Sequence, residues 1–271
     1  MATSERPETV KLTYVRVMAA EWLKLRTHRG FAWATVTAVI VSALMSALGG
    51  YLVREDWTRD PAGALTLATS APSVSIAITG LIFGLGLCTW ITKEFVSGSN
   101  YLTLMAVPRR HLVFSARLGL TIALSVIFGG VTALIGSVAA LLFFGSDRMT
   151  QVVSEGAFWA NAAMTVLVCA CMMLLYFAAA TLTRRSLPAV GLIAVLFFVM
   201  PNISGAVSLL DGPRVLSILL GYFPGSLVSQ LLTVPSDGVT STLTPLTAAV
   251  LLVSWSVLLV MVSARRFARY E

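Results

Sequence analysis

The chain has 271 residues, of which 57% are hydrophobic and 11% charged, with a formal net charge of +7. Soluble domains carry roughly a quarter charged residues, so too little polar sequence remains here to coat a core with a water-facing surface. That composition excludes a soluble fold, and the basic residues sort by membrane side rather than forming a nucleic-acid footprint.

Residues 1–8 are polar and are expected to hold no fixed structure. Over 9–28, Val10, Tyr14, Val17, Met18, Trp22 and Leu25 recur at helical spacings, with Lys11, Arg16, Glu21, Lys24 and Arg26 between them. This pattern predicts an amphipathic helix lying in the membrane interface or packed on a partner protein. Six apolar blocks follow, at about 30–53, 72–92, 119–144, 157–183, 187–210 and 245–264, and none contains Asp, Glu, Lys or Arg. A bilayer core about 30 Å thick needs roughly 20 apolar residues at helical rise. A charge at a span centre costs about 2.5–3.5 kcal/mol. The blocks therefore read as six transmembrane helices of an all-α membrane protein. The first is too long for a signal-peptide core and is expected to be retained. The chain thus divides into an N-terminal segment, 1–29, and a six-span domain, 30–271.

Within and between the blocks, several features predict local structure. Gly80 and Gly84, like Gly129, Gly130 and Gly136, suit close helix approach. In the loop 93–118, residues 99–107 predict a short helix with Tyr101, Leu102 and Met105 on one side, stopped by Pro108. Pro201 predicts a stop or a kink in the fifth span. In the long connection 211–244, the stretch 222–234 is apolar but too short to span, so it reads as a re-entrant or interfacial helix begun by Pro224-Gly225-Ser226. Trp33, Trp90 and Phe95 are expected as anchors at one interface, and Tyr51, Trp57, Phe143, Phe144, Phe158 and Trp159 at the other.

If the N-terminus is inside, the inner segments are 1–29, 93–118, 184–186 and 265–271. They hold every one of the nineteen Lys and Arg residues except Arg54, Arg59, Arg148 and Arg214. Lys and Arg mark the cytoplasmic side, so both termini are expected in the cytoplasm, with the basic segments contacting anionic lipid heads.

Several kinds of chemistry are missing. Cys88, Cys169 and Cys171 lie inside spans, where they read as small packing residues, not as a disulfide or a metal site. No lysine follows a glycine, so no G-x-x-x-x-G-K-[ST] phosphate loop exists. His28 and His111 fall in basic inner segments and are expected to be solvated. Asp147, Glu155, Asp211 and Asp237 are scattered over outer loops without a histidine, which disfavours an enzyme acting on lipid. No block carries a carboxylate that could couple transport to protons or sodium. Energy for any transport must come from elsewhere.

Three local patterns carry a family resemblance. The first is Glu21-Trp22-Leu23-Lys24-Leu25-Arg26-Thr27, just before the first span. The second is Glu94 followed by Gly98-Ser99, Leu102-Thr103-Leu104, Pro108-Arg109-Arg110 and Arg117. The third is Phe223-Pro224-Gly225-Ser226 with Leu231-Leu232 before the last span. In this order, on a six-span layout, the chain resembles the permease subunits of type-2 ABC exporters in the actinobacterial drug-export style. Relatives often have Lys where this chain has Arg117.

The resemblance implies a plasma-membrane permease with no cofactor of its own. ATP and magnesium would sit on a separate ABC ATPase, in two copies, beside a second permease copy or a paralogue. Trp22, Lys24, Leu25 and Arg26 would belong to a connecting helix. Glu94, Gly98, Ser99, Tyr101, Leu104, Pro108, Arg109 and Arg110 would form or flank a coupling element that enters a groove on the ATPase. Glu94 and Arg109 would fix that lever by polar contacts to the ATPase or to the N-terminal helix. Multidrug efflux and antibiotic resistance fit the style of the resemblance. The apolar spans suit hydrophobic or amphipathic cargo, such as drug-like compounds, lipids or peptides. The alternative is a non-transport scaffold or sensor subunit.

Overall fold

The computed structural model describes residues 13–98, 105, 110–209, 214–232 and 243–269, and all regular structure among them is helical. The chain begins with α1 (Tyr14–Thr27), α2 (Arg29–Asp56), α3 (Pro61–Thr69) and α4 (Ile76–Val96). It continues with α5 (Arg110–Leu141), α6 (Ser146–Ser154) and α7 (Gly156–Thr183). Next, α8 (Ser186–Ala194) runs through a π-helical segment, Val195–Val199, into α9 (Met200–Leu209). Last come α10 (Arg214–Gly221), α11 (Pro224–Leu232) and α12 (Pro245–Ala268). Six helices among the described residues are long and apolar enough to cross a membrane: α2, α4, α5, α7, the composite Ser186–Ile203, and α12. This is the expected all-α, six-span architecture.

The third span differs from its expected bounds. It begins at Arg110, not near 119, and runs for 32 residues. Counting apolar residues finds only the part that faces lipid; the helix itself continues because nothing between 110 and 119 breaks it. With α4 extending to Val96 and α5 beginning at Arg110, the connection expected over 93–118 contracts to 97–109, and Arg117 sits inside a helix.

Helix α7 is the centre of the bundle, packed against α4, α5, α8 and α12. Its Met173, Leu175, Tyr176 and Phe177 are fully buried. The expected close approach of α4 occurs here, since a Cβ on Gly84 would lie 2.5 Å from the Tyr176 ring. Around this centre, α2 keeps an outer face of exposed Ile40, Leu44 and Leu48. Hydrocarbon tolerates such a face where water would not.

Between α3 and α4 the chain makes a buried turn over residues 70–75. Its backbone carbonyls are met by side chains. Asn161 donates to the Thr69 carbonyl at 3.0 Å, Ser73 to Ser70 at 2.8 Å, Thr165 to Pro72 at 3.3 Å and Thr79 to Ser75 at 2.9 Å. The Ser75 hydroxyl meets that of Ser42 at 2.8 Å. Irregular backbone survives at membrane depth when protein groups satisfy it, which gives these scattered polar residues their purpose.

Pro201 neither stops the fifth span nor falls in a loop. A proline in a helix deletes one donor and crowds the carbonyl four residues back. The span accommodates this by widening to π geometry just before the ring, with the Met200 N–H reaching the Val195 carbonyl. Helix α11 packs against this segment, and its Pro224, Gly225, Ser226, Leu227 and Val228 are buried. A Cβ on Gly225 would lie 2.5 Å from the Leu196 carbonyl oxygen and 2.7 Å from Pro201. Leu196 lies ten residues into the span, about 15 Å along at helical rise. As far as Leu232, the 222–234 stretch thus packs on the body of the fifth span, as a re-entrant helix would.

The aromatic residues also depart from expectation. Trp33 and Trp159 are exposed as anchors should be, but Trp57, Phe144 and Phe158 are buried in a small second core beneath α3 and α6. Trp57 stacks obliquely on Phe144 at 5.2 Å, under the Arg148 guanidinium at 5.3 Å. Trp90 is buried too. Trp57, Phe144 and Phe158 face protein because short helices fold back over the span ends and cover them.

Candidate functional site

At the basic end of the bundle, α1 lies across α5. Its inward stripe is Val17, Glu21 and Leu25, one residue per turn. This shifts the expected apolar face: Trp22 is 46% exposed, and the buried position falls to the carboxylate of Glu21. Val10 lies outside the described residues. Tyr14 is also mostly out, but its hydroxyl donates to the Ser115 carbonyl at 3.3 Å and steadies α1 on α5.

The reason a carboxylate can be buried is Arg117. Its side chain is 4% exposed and that of Glu21 1%. Arg117 Nε donates to Glu21 at 3.1 Å, and Nη2 donates to Glu94 at the end of α4. Lys24, one turn after Glu21, reaches Glu21 at 2.8 Å and Glu94 at 3.2 Å. Two cations and two carboxylates thus close a neutral ring that ties α1, α4 and α5 together. A guanidinium suits the centre because its fork grips two carboxylates at once, where an ammonium is a point charge. Lys24 is 38% exposed, so its part is screened by solvent and small.

A second tie forms on the other side. Phe267, near the end of α12, packs on Phe95 of α4 at 6.4 Å and on Phe114 of α5 at 5.6 Å. Arg110 donates to the Ala268 carbonyl at 3.3 Å. Such a bond satisfies a helix C-terminal carbonyl and sets a cation against the negative end of the dipole. The two flanks of the 97–109 loop are therefore clamped by α1 on one side and α12 on the other.

Of the expected coupling residues, Glu94 and Arg110 belong to these clamps. Gly98 holds φ +71° just after α4, in open space where a Cβ would meet nothing within 4 Å, so its backbone redirects the chain out of the span. Ser99, Tyr101, Leu104, Pro108 and Arg109 lie outside the described residues. Of the connecting-helix residues, Leu25 is core, Lys24 joins the ring, and Trp22 and Arg26 border an exposed groove with Phe31 and Val36. Sequence reasoning left Glu21 and Arg117 out of the candidate site. A signal existed: Glu21 is the sole acid over 9–28, and Glu94 the sole acid between Asp60 and Asp147. Isolated charges beside apolar runs need partners, and both carboxylates find theirs in Arg117 and Lys24.

His28 is half-buried at the α1–α2 elbow, not solvated as expected. Its Nδ1 accepts the Phe31 N–H at 3.0 Å and caps α2. Burial pushes its pKa below the ordinary value, and nearby Lys93 pushes the same way.

Residues 17–202, more than half of the chain, match the family described as ABC-2 family transporter protein. The chain belongs to the ABC-2 transporter family. No curated protein matches it. As an ABC-2 permease it is a multi-pass membrane protein and a transmembrane subunit of a transport system. The matched region begins in α1 and includes Glu21, Glu94 and Arg117, so the whole charge ring lies within the family's extent.

Proposed function

We propose that this permease is the membrane half of an ATP-driven exporter of hydrophobic or amphipathic molecules. Its ATPase is a separate chain, two copies of which act on a permease pair. Drug-like compounds, lipids and amphipathic peptides are all cargo that apolar, charge-free spans would accept. The basic end faces the cytoplasm of the cell, at the plasma membrane, in keeping with its concentration of Lys and Arg. One observation supports this reading above the rest: the Glu21–Arg117–Glu94–Lys24 ring, which fastens both flanks of the 97–109 loop to α1. A loop that merely connected two spans would need no such base.

On this reading the loop docks on the ATPase. ATP binding, with magnesium, closes the ATPase pair and pushes the loop. The ring makes α1, α4 and α5 respond as one body, since packed helices shift as rigid units. Glu94 acts as a positioning residue for the lever, held by Arg117 and Lys24.

The test begins with a gentle-detergent pull-down of tagged permease from native membranes, where a stoichiometric soluble ATPase is expected. The recovered complex is then reconstituted with Glu94→Ala. Cargo export should fall by tenfold or more, on the order of a lost positioning contact, with the ATPase still bound. Clean absence of an ATPase from an intact permease, or undiminished export by Glu94→Ala, would overturn the proposal.

A further inference from the structure

Beside the charge ring, but not part of it, a cavity of about 310 Å³ opens at the basic end between the α1–α2 elbow and the end of α4. Lys24, His28, Trp90, Lys93 and Glu94 are in its wall. Its charge is unbalanced. Its wall carries two cations, Lys24 and Lys93, against one carboxylate, Glu94, which Arg117 and Lys24 already engage. Lys93 is the surplus: it is exposed and forms no salt bridge among the described residues.

The wall is also rich in donors. His28 accepts with Nδ1, so its neutral ring carries the proton on Nε2. Trp90 is 3% exposed, and its indole N–H has no hydrogen-bond partner among the described residues. An ammonium and an imidazole N–H beside one space suit a compact anion with several acceptor oxygens. A phosphate has that form.

Depth selects the source. Trp90 and Lys93 lie one turn apart at the point where α4 passes from apolar to charged sequence. On α2, Trp33 is 70% exposed five residues past His28, about 7.5 Å along the helix. An exposed tryptophan at a span end marks the headgroup layer. Phosphate is most concentrated there as lipid headgroups.

We propose that this cavity binds the phosphate of an anionic lipid headgroup, with Lys93 as its principal cation. The lipid would wedge between the elbow and α4, beside the element that carries Glu94. This does not depend on the exporter reading, because it concerns binding by the permease alone.

Native mass spectrometry of the full-length protein tests it. The detergent-solubilised chain is titrated with phosphatidylglycerol and with phosphatidylcholine of the same acyl chains. Wild type should prefer the anionic lipid. Lys93→Ala should lower that preference about fivefold, the weight of one basic residue near a charged headgroup. Lys93→Arg should retain it, and Arg266→Ala, an exposed cation at the same end, should leave it unchanged. Equal loss in Lys93→Ala and Arg266→Ala would mean a diffuse field and overturn the site. Displacement of the lipid by excess inorganic phosphate would make it a site for free phosphate and overturn the lipid assignment. Lys93 is outside the charge ring, so loss of lipid preference with a folded protein is separable from failure of coupling.

Discussion

Arg117 is the residue on which the basic end turns. Removing it leaves two carboxylates, one of them 1% exposed, with only the solvent-screened Lys24 as partner. Breaking a buried ion pair by deleting one partner costs about 3–5 kcal/mol. Arg117→Ala should therefore lower the thermal midpoint of the purified protein sharply. Arg117→Lys should be intermediate, because it keeps the charge and loses the fork. If Arg117→Ala melted with wild type, the ring would hold nothing. His28 gives a pH dependence with a definite sign. Its folded pKa lies below its unfolded value near 6.5, so the unfolded chain takes up its proton first. The cap's contribution is complete above pH 6.5 and declines as pH falls below it through the folded value. It should amount to about 1 kcal/mol. His28→Asn keeps an acceptor for the Phe31 N–H and should flatten the melting curve across that window; an unchanged slope would assign the pH effect elsewhere.

At the scale of elements, α11 and the π segment depend on a missing side chain. Helix α11 lies against the fifth span at the one place where Gly225 lets backbone meet backbone. Gly225→Ala would put a methyl group 2.5 Å from the Leu196 oxygen. Neither backbone can yield as a flexible side chain would. Overpacking of this kind costs about 1–3 kcal/mol. The variant should melt earlier, and protease should reach residues 222–232 in it before it does in wild type. Unchanged protection would show that the two elements are not in contact. The same logic explains the buried turn at 70–75. Its carbonyls are met from α4 and α7 as well as from the turn itself, so the element exists only with its neighbours in place.

The whole molecule has two unlike ends. The end that holds α1, the charge ring and the Arg110 tie is basic; the opposite end carries Trp57, α3 and α6 beneath Arg148. Orientation is measurable because Cys88, Cys169 and Cys171 are all buried and should not react with a membrane-impermeant maleimide. Thr58→Cys should label on intact cells, and Arg269→Cys only after the membrane is opened. The reverse pattern would invert the topology and remove the charge argument for a cytoplasmic loop.

Six spans, their order and the amphipathic N-terminal helix were legible in the amino-acid sequence. Each follows from local properties: about twenty apolar residues in a row cross a bilayer whatever surrounds them, and basic residues sort by side. The close approach at Gly84 was legible for the same reason, since small residues permit it locally. What tertiary structure alone decided were the pairings. Glu21 reads locally as part of a polar face, and it is buried because Arg117, 96 residues later, meets it there. Pro201 reads locally as either a stop or a kink, and the helix continues because a π turn accommodates the ring. The expected loop 93–118 was too long because an apolar count measures the thickness of lipid, not the length of a helix. A charge or a break in a helix acquires its meaning from the group brought against it, and that group belongs to another part of the chain.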